Sequence, residues 1–253
     1  MEQHSSNFVP RNITTLKTHK AMEKTNTPAK TQVYNLVILD KSGSMECIRQ
    51  EAVNGYNETL GTIKAAQKKH IDSQDHFVSL AAFCGCGIDM IYDKTPINDT
   101  KNLTVKQYEP CCCTPLFDAI GKTIKQLKKD IESVEDAAVL VTIITDGEEN
   151  ASKEWTGPAV KALIEHCKEE GWMFSFIGAG DDVIHIATTI SISNTVLWEQ
   201  TEKGTADVFA NENEAQGRFY DKMATPCCTG ASVADRKKMR KQFSEEYYDK
   251  DKK

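Results

Sequence analysis

This 253-residue sequence predicts a three-layer α/β fold, with a mostly parallel central sheet, one antiparallel edge strand and helices on both faces. Three observations lead there. Residues 33–39 and 137–145 are near-continuous apolar runs, the pattern of strands buried on both faces. Amphipathic segments with apolar residues three or four apart alternate with such runs, as helices covering a sheet must. Composition is that of an ordinary globular chain, 40% hydrophobic and 27% charged. The length allows one sizeable domain of roughly 150–200 residues plus appendages.

Residues 1–30 are polar and aperiodic and read as a flexible leader. Val33–Leu39 is a buried strand. Over Cys47–Lys69, Ile48, Ala52, Tyr56, Leu60 and Ile63 fall on one helical face. Gly55 and Gly61 weaken this helix by about 1 kcal/mol each, so packing has to hold it. His76–Phe83 is a second strand. Gly85 and Gly87 mark a tight turn, and Asp89–Lys94 returns antiparallel. A polar loop leads to Thr114-Pro115, which opens a helix to about Lys129, with the threonine hydroxyl as cap and proline in the first turn. Ala137–Thr145 is the next strand. A helix from Thr156 to Glu170, a strand Met173–Ile177, a short helix Asp182–Thr189 and a short strand Thr195–Trp198 complete the alternation. Residues 31–200 therefore form the expected domain. Residues 201–253 are polar and partly helical, with Ser232 capping a final helix and Asp235 at its third position. There are no internal repeats.

Charge and patterning narrow the function. A formal net charge of −6 disfavours nucleic acid or an anionic membrane as partner. The basic run Arg236–Lys241 is flanked by Asp235 and Glu245-Glu246 and reads as a solvated helix face. No apolar run approaches the ~20 residues that span a bilayer, and the N-terminus lacks the apolar core of a signal peptide, so a cytoplasmic location is expected. The sequons Asn57-Glu58-Thr59 and Asn150-Ala151-Ser152 then carry no meaning. Gly178-Ala179-Gly180 lacks the third glycine of a dinucleotide loop and reads as a plain turn, and His166 and His185 read as ordinary positions.

Both long apolar runs end in an aspartate, Asp40 and Asp146. Ligands of open α/β sheets bind outside the carboxyl ends of the strands. If the two strands are neighbours, Asp40, Ser42, Ser44, Thr114 and Asp146 converge on one spot. That set is all oxygen with few formal charges, which suits a hard divalent cation keeping several waters, Mg2+ first, with Mn2+ and Ca2+ as alternatives. Each piece alone is a common turn; together they point to a metal site. Glu148 and Glu149 read as a solvated acidic rim that draws a cation.

Asp40-x-Ser42-x-Ser44, a later Thr114 opening a helix, and Asp146-Gly147 ending a core strand resemble the metal-ion-dependent adhesion site of the von Willebrand factor type A (vWA) domain. TPLFDAI and TDGEENAS look closest to bacterial and phage cytoplasmic members. The resemblance covers residues 31–200 and implies a Rossmann-like vWA fold. It also implies direct metal contacts from Ser42, Ser44 and Thr114, and direct or water-mediated ones from Asp40 and Asp146. An Asp or Glu of a partner protein completes the shell. Cys113 stands before Thr114, where family members usually carry glycine or a similar small residue.

Two other functions compete. A metal-dependent hydrolase or phosphatase needs a base or nucleophile beside the metal. Ser42 stands where a phosphatase of the haloacid dehalogenase type has its second carboxylate, and there is no GxxxxGK[ST] or GxSxG motif. Binding is therefore favoured over catalysis. The other concerns the nine cysteines, an odd number in a chain with no export signal, which read as reduced thiols. Cys84, Cys86 and Cys111–Cys113 fall on the metal-site face and could hold Zn2+ or act as redox thiols, although CxxC spacing is missing; Cys227 and Cys228 form a further pair. Partner, pathway and oligomeric state are not legible.

Overall fold

The computed structural model describes Met1 and residues 30–146, 149–179, 182–199 and 201–249. The expected leader falls, but for its two ends, outside the described residues, and so do Gly147, Glu148, Gly180 and Gln200. Among the described residues there are six strands: β1 (Thr31–Asp40), β2 (Gln74–Cys84), β3 (Gly87–Pro96), β4 (Ala137–Thr145), β5 (Met173–Gly178) and β6 (Thr195–Leu197). They form one sheet in the order β3-β2-β1-β4-β5-β6. All neighbours are parallel except β3, which runs back along β2. The expected fold class is the one observed.

Side-chain alternation along β1 divides the core. Val33, Val37 and Leu39 face one layer, made by α1 (Arg49–Lys69) and α5 (Glu202–Met223). Tyr34, Leu36 and Ile38 face the other, made by α2 (Leu116–Asp130), α3 (Gly157–Glu169) and α4 (Val183–Thr189). Because β1 lies in the middle with β2 and β4 beside it, both its faces are dry, and its run of apolar residues follows from that position.

The C-terminal segment holds three helices, α5, α6 (Pro226–Thr229) and α7 (Val233–Glu245). Polar composition hides the longest of them, the 22-residue α5. Val208, Phe209, Ala215, Phe219, Tyr220 and Met223 of α5 belong to the same core as α1. Three polar residues inside the strands on that face explain the fit. Asn35 Oδ1 accepts from the Tyr220 hydroxyl at 2.6 Å, and Ser175 Oγ donates to Glu212 Oε1 at 2.8 Å. Thr142 also reaches Glu212, on which Tyr247 and Tyr248 converge. Burial raises the Glu212 pKa against these hydrogen bonds. Ser232 caps α7 as expected, accepting from Asp235 N.

The expectation of a solvated basic face on α7 is corrected. Arg236 and Arg240, one helical turn apart, point inward and clasp the buried Asp136 at 2.7 and 3.0 Å. The intervening Lys237 and Lys238 face water, and Lys241 pairs with Glu169 at the surface.

Candidate metal-binding site

The site is built where β1 and β4 end side by side. Leu39 pairs with Ile144, so Asp40 and Thr145 are the next step of the ladder, and Asp146 follows at once. After Asp40 the chain turns sharply into a short 3-10 segment, Gly43–Ile48, anchored by buried Met45 and Ile48. The regular helix therefore starts at Arg49, two residues later than the apolar spacing predicts.

Asp40 is fully buried. Its Oδ1 accepts from Ser42 N at 2.7 Å and its Oδ2 from the Thr145 hydroxyl at 2.6 Å. Burial pushes its pKa up to about 6, against the hydrogen bonds from Thr145 and Ser42, with the neighbouring charge of Asp146 adding to the rise. The Ser42 and Ser44 hydroxyl oxygens are 3.2 Å apart. Ser42 is buried and Ser44 exposed, so the pair runs from the floor of the site to its mouth.

The third piece arrives on the loop before α2. Arg49 of α1 holds this loop through the carbonyls of Val105 and Tyr108, and Asn57 exchanges two hydrogen bonds with Leu103. The Tyr108 hydroxyl donates to the Asp40 carbonyl. Cys111 N then donates to Lys41 O at 2.8 Å and Gly43 N to Cys112 O at 2.9 Å, so the loop lies alongside the Asp40–Ser44 turn. A Cβ on Gly43 would sit 3.3 Å from the Cys112 carbonyl, so this approach suits the glycine between the two serines. Thr114, buried, comes next.

Thr114 does not cap α2. Pro115 takes the cap position with no side-chain bond, and the helix starts at Leu116. The free amides of its first turn go to the β4–α3 loop instead. Glu149 Oε2 accepts from Phe117 N at 2.7 Å and Ser152 Oγ from Asp118 N at 2.9 Å. Asp118 in return accepts from the amides of Lys153, Glu154 and Trp155. Glu149 is thus a half-buried latch and not part of a solvated rim; Glu148 lies outside the described residues. Asn150 completes the latch. Its side chain accepts from Thr114 N at 2.9 Å and its N–H donates to Thr114 O at 3.1 Å. No sequence motif assigns Thr145, Tyr108, Asn150 or Asp118 its hydrogen-bonding role at this edge, and Glu149 reads from sequence as rim and not as latch. Only Asn150 and Glu149 carry a local signal, since both directly follow the Asp146 turn.

Asp146 is half-buried, and its Oδ1 is buried with no hydrogen-bond partner among the described residues. All five expected positions therefore lie at one edge of the sheet, on three segments tied to one another by backbone hydrogen bonds. On the neighbouring rim, four of the expected thiols cluster: Cys84 Sγ is 3.2 Å from Cys111 Sγ, and Cys86 Sγ is 3.1 Å from Cys112 Sγ. Cys227 and Cys228 lie far along the chain in α6, one exposed and one buried, and join no cluster among the described residues.

A six-stranded sheet in this order, with one antiparallel edge and a DxSxS turn leaving its central strand, defines the vWA fold. Solved structures agree. A von Willebrand factor type A protein from Catenulispora acidiphila is 15% identical over 75% of this chain and 43% of its own, with a TM-score of 0.50. The pilus adhesin SpaC from Lactobacillus rhamnosus GG is 14% identical over 76% of this chain and 30% of its own, with a TM-score of 0.57. The PilB minor pilin from Streptococcus sanguinis is 10% identical over 76% of this chain and 63% of its own, with a TM-score of 0.52. At such identities the likeness is one of fold, and the chain spans less than half the length of the first two. No protein-family model matches the sequence, and no curated protein does.

Proposed function

We propose that the edge formed by Asp40, Ser42, Ser44, Thr114 and Asp146 binds a divalent cation of the Mg2+ class. The bound ion would capture an Asp or Glu side chain of a partner protein. The observation that carries this reading is Asp146 Oδ1, a buried carboxylate oxygen with no partner among the described residues, beside the fully buried carboxylate of Asp40. Leaving such an atom unpaired is costly, and a cation is the natural complement. Every donor here is oxygen, which selects a hard ion and disfavours soft ones; Mn2+ and Ca2+ are the alternatives to Mg2+.

The residues divide the work. Both Asp40 oxygens already accept hydrogen bonds, so Asp40 suits a role through water, while Asp146, the two serines and Thr114 supply direct oxygens. With few anionic ligands, the ion keeps positive charge for an incoming carboxylate. Asn150 and Glu149 position Thr114 through the backbone and touch nothing that reacts. The reading is of binding and not catalysis: Glu149 is consumed by bonds to Phe117, Ala151 and Ser152, and Glu46, two residues after Ser44, pairs with Arg49, so neither stands free as a general base. The fold is shared with an adhesin and a minor pilin, which accords with a protein-binding module. A cytoplasmic setting without nucleic-acid or membrane partners accords with the acidic charge. No helix among the described residues is long and apolar enough to cross a membrane.

Calorimetry with Mg2+ and with Mn2+ tests the site. One equivalent is expected to bind, and Asp40→Asn and Asp146→Asn, close in shape to wild type, are each expected to weaken binding at least tenfold. At a hundredfold excess over its dissociation constant the ion stabilises the fold by roughly 2.7 kcal/mol. Unchanged binding in both variants would sink the assignment.

A further inference from the structure

Cys84 closes β2, Cys86 sits in the turn into β3, and Cys111 and Cys112 belong to the loop before Thr114. These segments are 25 or more residues apart in the chain, yet their thiols meet. The Sγ atoms of Cys84, Cys86 and Cys111 all lie within 4.8 Å of one another, and Cys112 Sγ is 3.1 Å from that of Cys86.

The backbone is shaped for this approach. Gly85 N donates to Cys113 O at 2.7 Å, and a Cβ on Gly85 would stand 2.5 Å from Cys113 Sγ, so a larger residue there would have to push the Cys113 thiol aside. Cys112 adopts a left-handed backbone with φ 60°, uncommon for a residue with a side chain. The loop holds that conformation where its thiol faces Cys86.

We propose that Cys84, Cys86, Cys111 and Cys112 form a tetrathiolate site for a soft divalent cation, Zn2+ by class, separate from the oxygen site at Asp40. Around tetrahedral Zn2+, with Zn–S of about 2.3 Å, the sulfurs stand roughly 3.8 Å apart. The separations of 3.2, 3.1 and 3.9 Å bracket that figure, while Cys112 stands outside the group of three that lie within 4.8 Å of one another, so its side chain has to turn inward to complete the tetrahedron. Disulfides answer the geometry less well. Disulfides Cys84–Cys111 and Cys86–Cys112 would pair all four thiols, but the 3.9 Å approach of Cys111 to Cys86 across those pairs is what a shared ion asks for, and the mass of the isolated chain separates the two. On binding, each thiol releases its proton to solvent and coordinates as thiolate. The ion would staple the β2–β3 turn to the loop that carries Thr114.

Cobalt(II) is the probe. The full chain, reduced and freed of metal and held in excess Mg2+, is expected to take up one equivalent at the thiolates. It should show a thiolate-to-metal charge-transfer band and the intense visible bands of tetrahedral Co2+, both bleached by Zn2+. The double variant Cys86→Ser/Cys111→Ser is expected to lose the bands, and Cys227→Ser to keep them. Asp40→Asn is also expected to keep them, which separates this proposal from the Mg2+ reading. Absence of the bands in wild type overturns the proposal whether or not the double variant folds. So does a freshly isolated chain whose mass is short of two hydrogens per cysteine pair, because that shows disulfides.

Discussion

Asp40 and His76 show how two neighbouring strands use a buried titratable group to opposite ends. Asp40 gathers hydrogen bonds at the end of the sheet where the proposed cation would bind. His76 sits sealed under α5. Its Nε2 meets Gln74 Oε1 at 2.9 Å, its backbone N–H donates to Gln67 Oε1, and its ring packs edge-on against Tyr220. Nδ1 is buried without a partner among the described residues. Burial, with a smaller push from His70, lowers the pKa from 6.5 to about 3. The unfolded chain therefore binds a proton that the folded chain refuses. Stability from this group is intact above 6.5 and falls as the pH drops below it. Each unit is worth about 1.4 kcal/mol, so moving from pH 7 to pH 5 is expected to cost ~2 kcal/mol at this residue. His76→Gln, which keeps an amide donor for Gln74, should lose that much less over the same interval in urea titrations. Parallel pH profiles for the two proteins would show that the histidine is solvated.

At the scale of elements, α1 illustrates how two glycines of equal propensity differ in role. Gly61 has nothing within 4 Å of where a Cβ would stand, so Gly61→Ala is expected to stabilise the fold by about 1 kcal/mol. At Gly55 a Cβ would lie 2.1 Å from Phe209 of α5. That ring is fully buried and packed edge-on against Trp198, with no room to retreat. Gly55→Ala is expected to cost about 1–3 kcal/mol, as overpacked cores do. Thermal melts of the two variants should move in opposite directions; a shared direction would mean that α5 does not press on α1 as described. The same contrast marks the limit of local reasoning. Strand ends and the oxygen-rich turn at Asp40 are legible because apolar runs and their terminal aspartates are contiguous in sequence. The start of α2 is not, since its amides are capped from Glu149 and Ser152, more than 30 residues downstream, and no local pattern announces such a cap.

At the scale of the whole molecule, the segment after residue 200 is legible only at the Ser232 cap of α7, for a related reason. Its helices are mostly polar, and their few inward residues match polar positions on the sheet that only the folded chain reveals. Asn35, Thr142 and Ser175 interrupt apolar strands where Tyr220 and Glu212 come down on them, and Arg236 and Arg240 look solvated until Asp136 is placed beneath them. Removing the segment would uncover the partners of Val208, Phe209, Phe219, Tyr220 and Met223, all buried against the α1 face of the sheet. At ~1.5–3 kcal/mol for each large apolar side chain, the loss is on the order of 10 kcal/mol. Whole domains are stable by only about 5–15 kcal/mol. Asp136 would also be left in the sheet edge without either arginine, and Glu212 would no longer satisfy Ser175. A chain ending at Glu199 is therefore expected to lack a cooperative unfolding transition and to bind a dye that reports exposed apolar surface. A cooperative, dye-silent fragment that still binds Mg2+ would instead make the C-terminal helices an addition to a self-sufficient core.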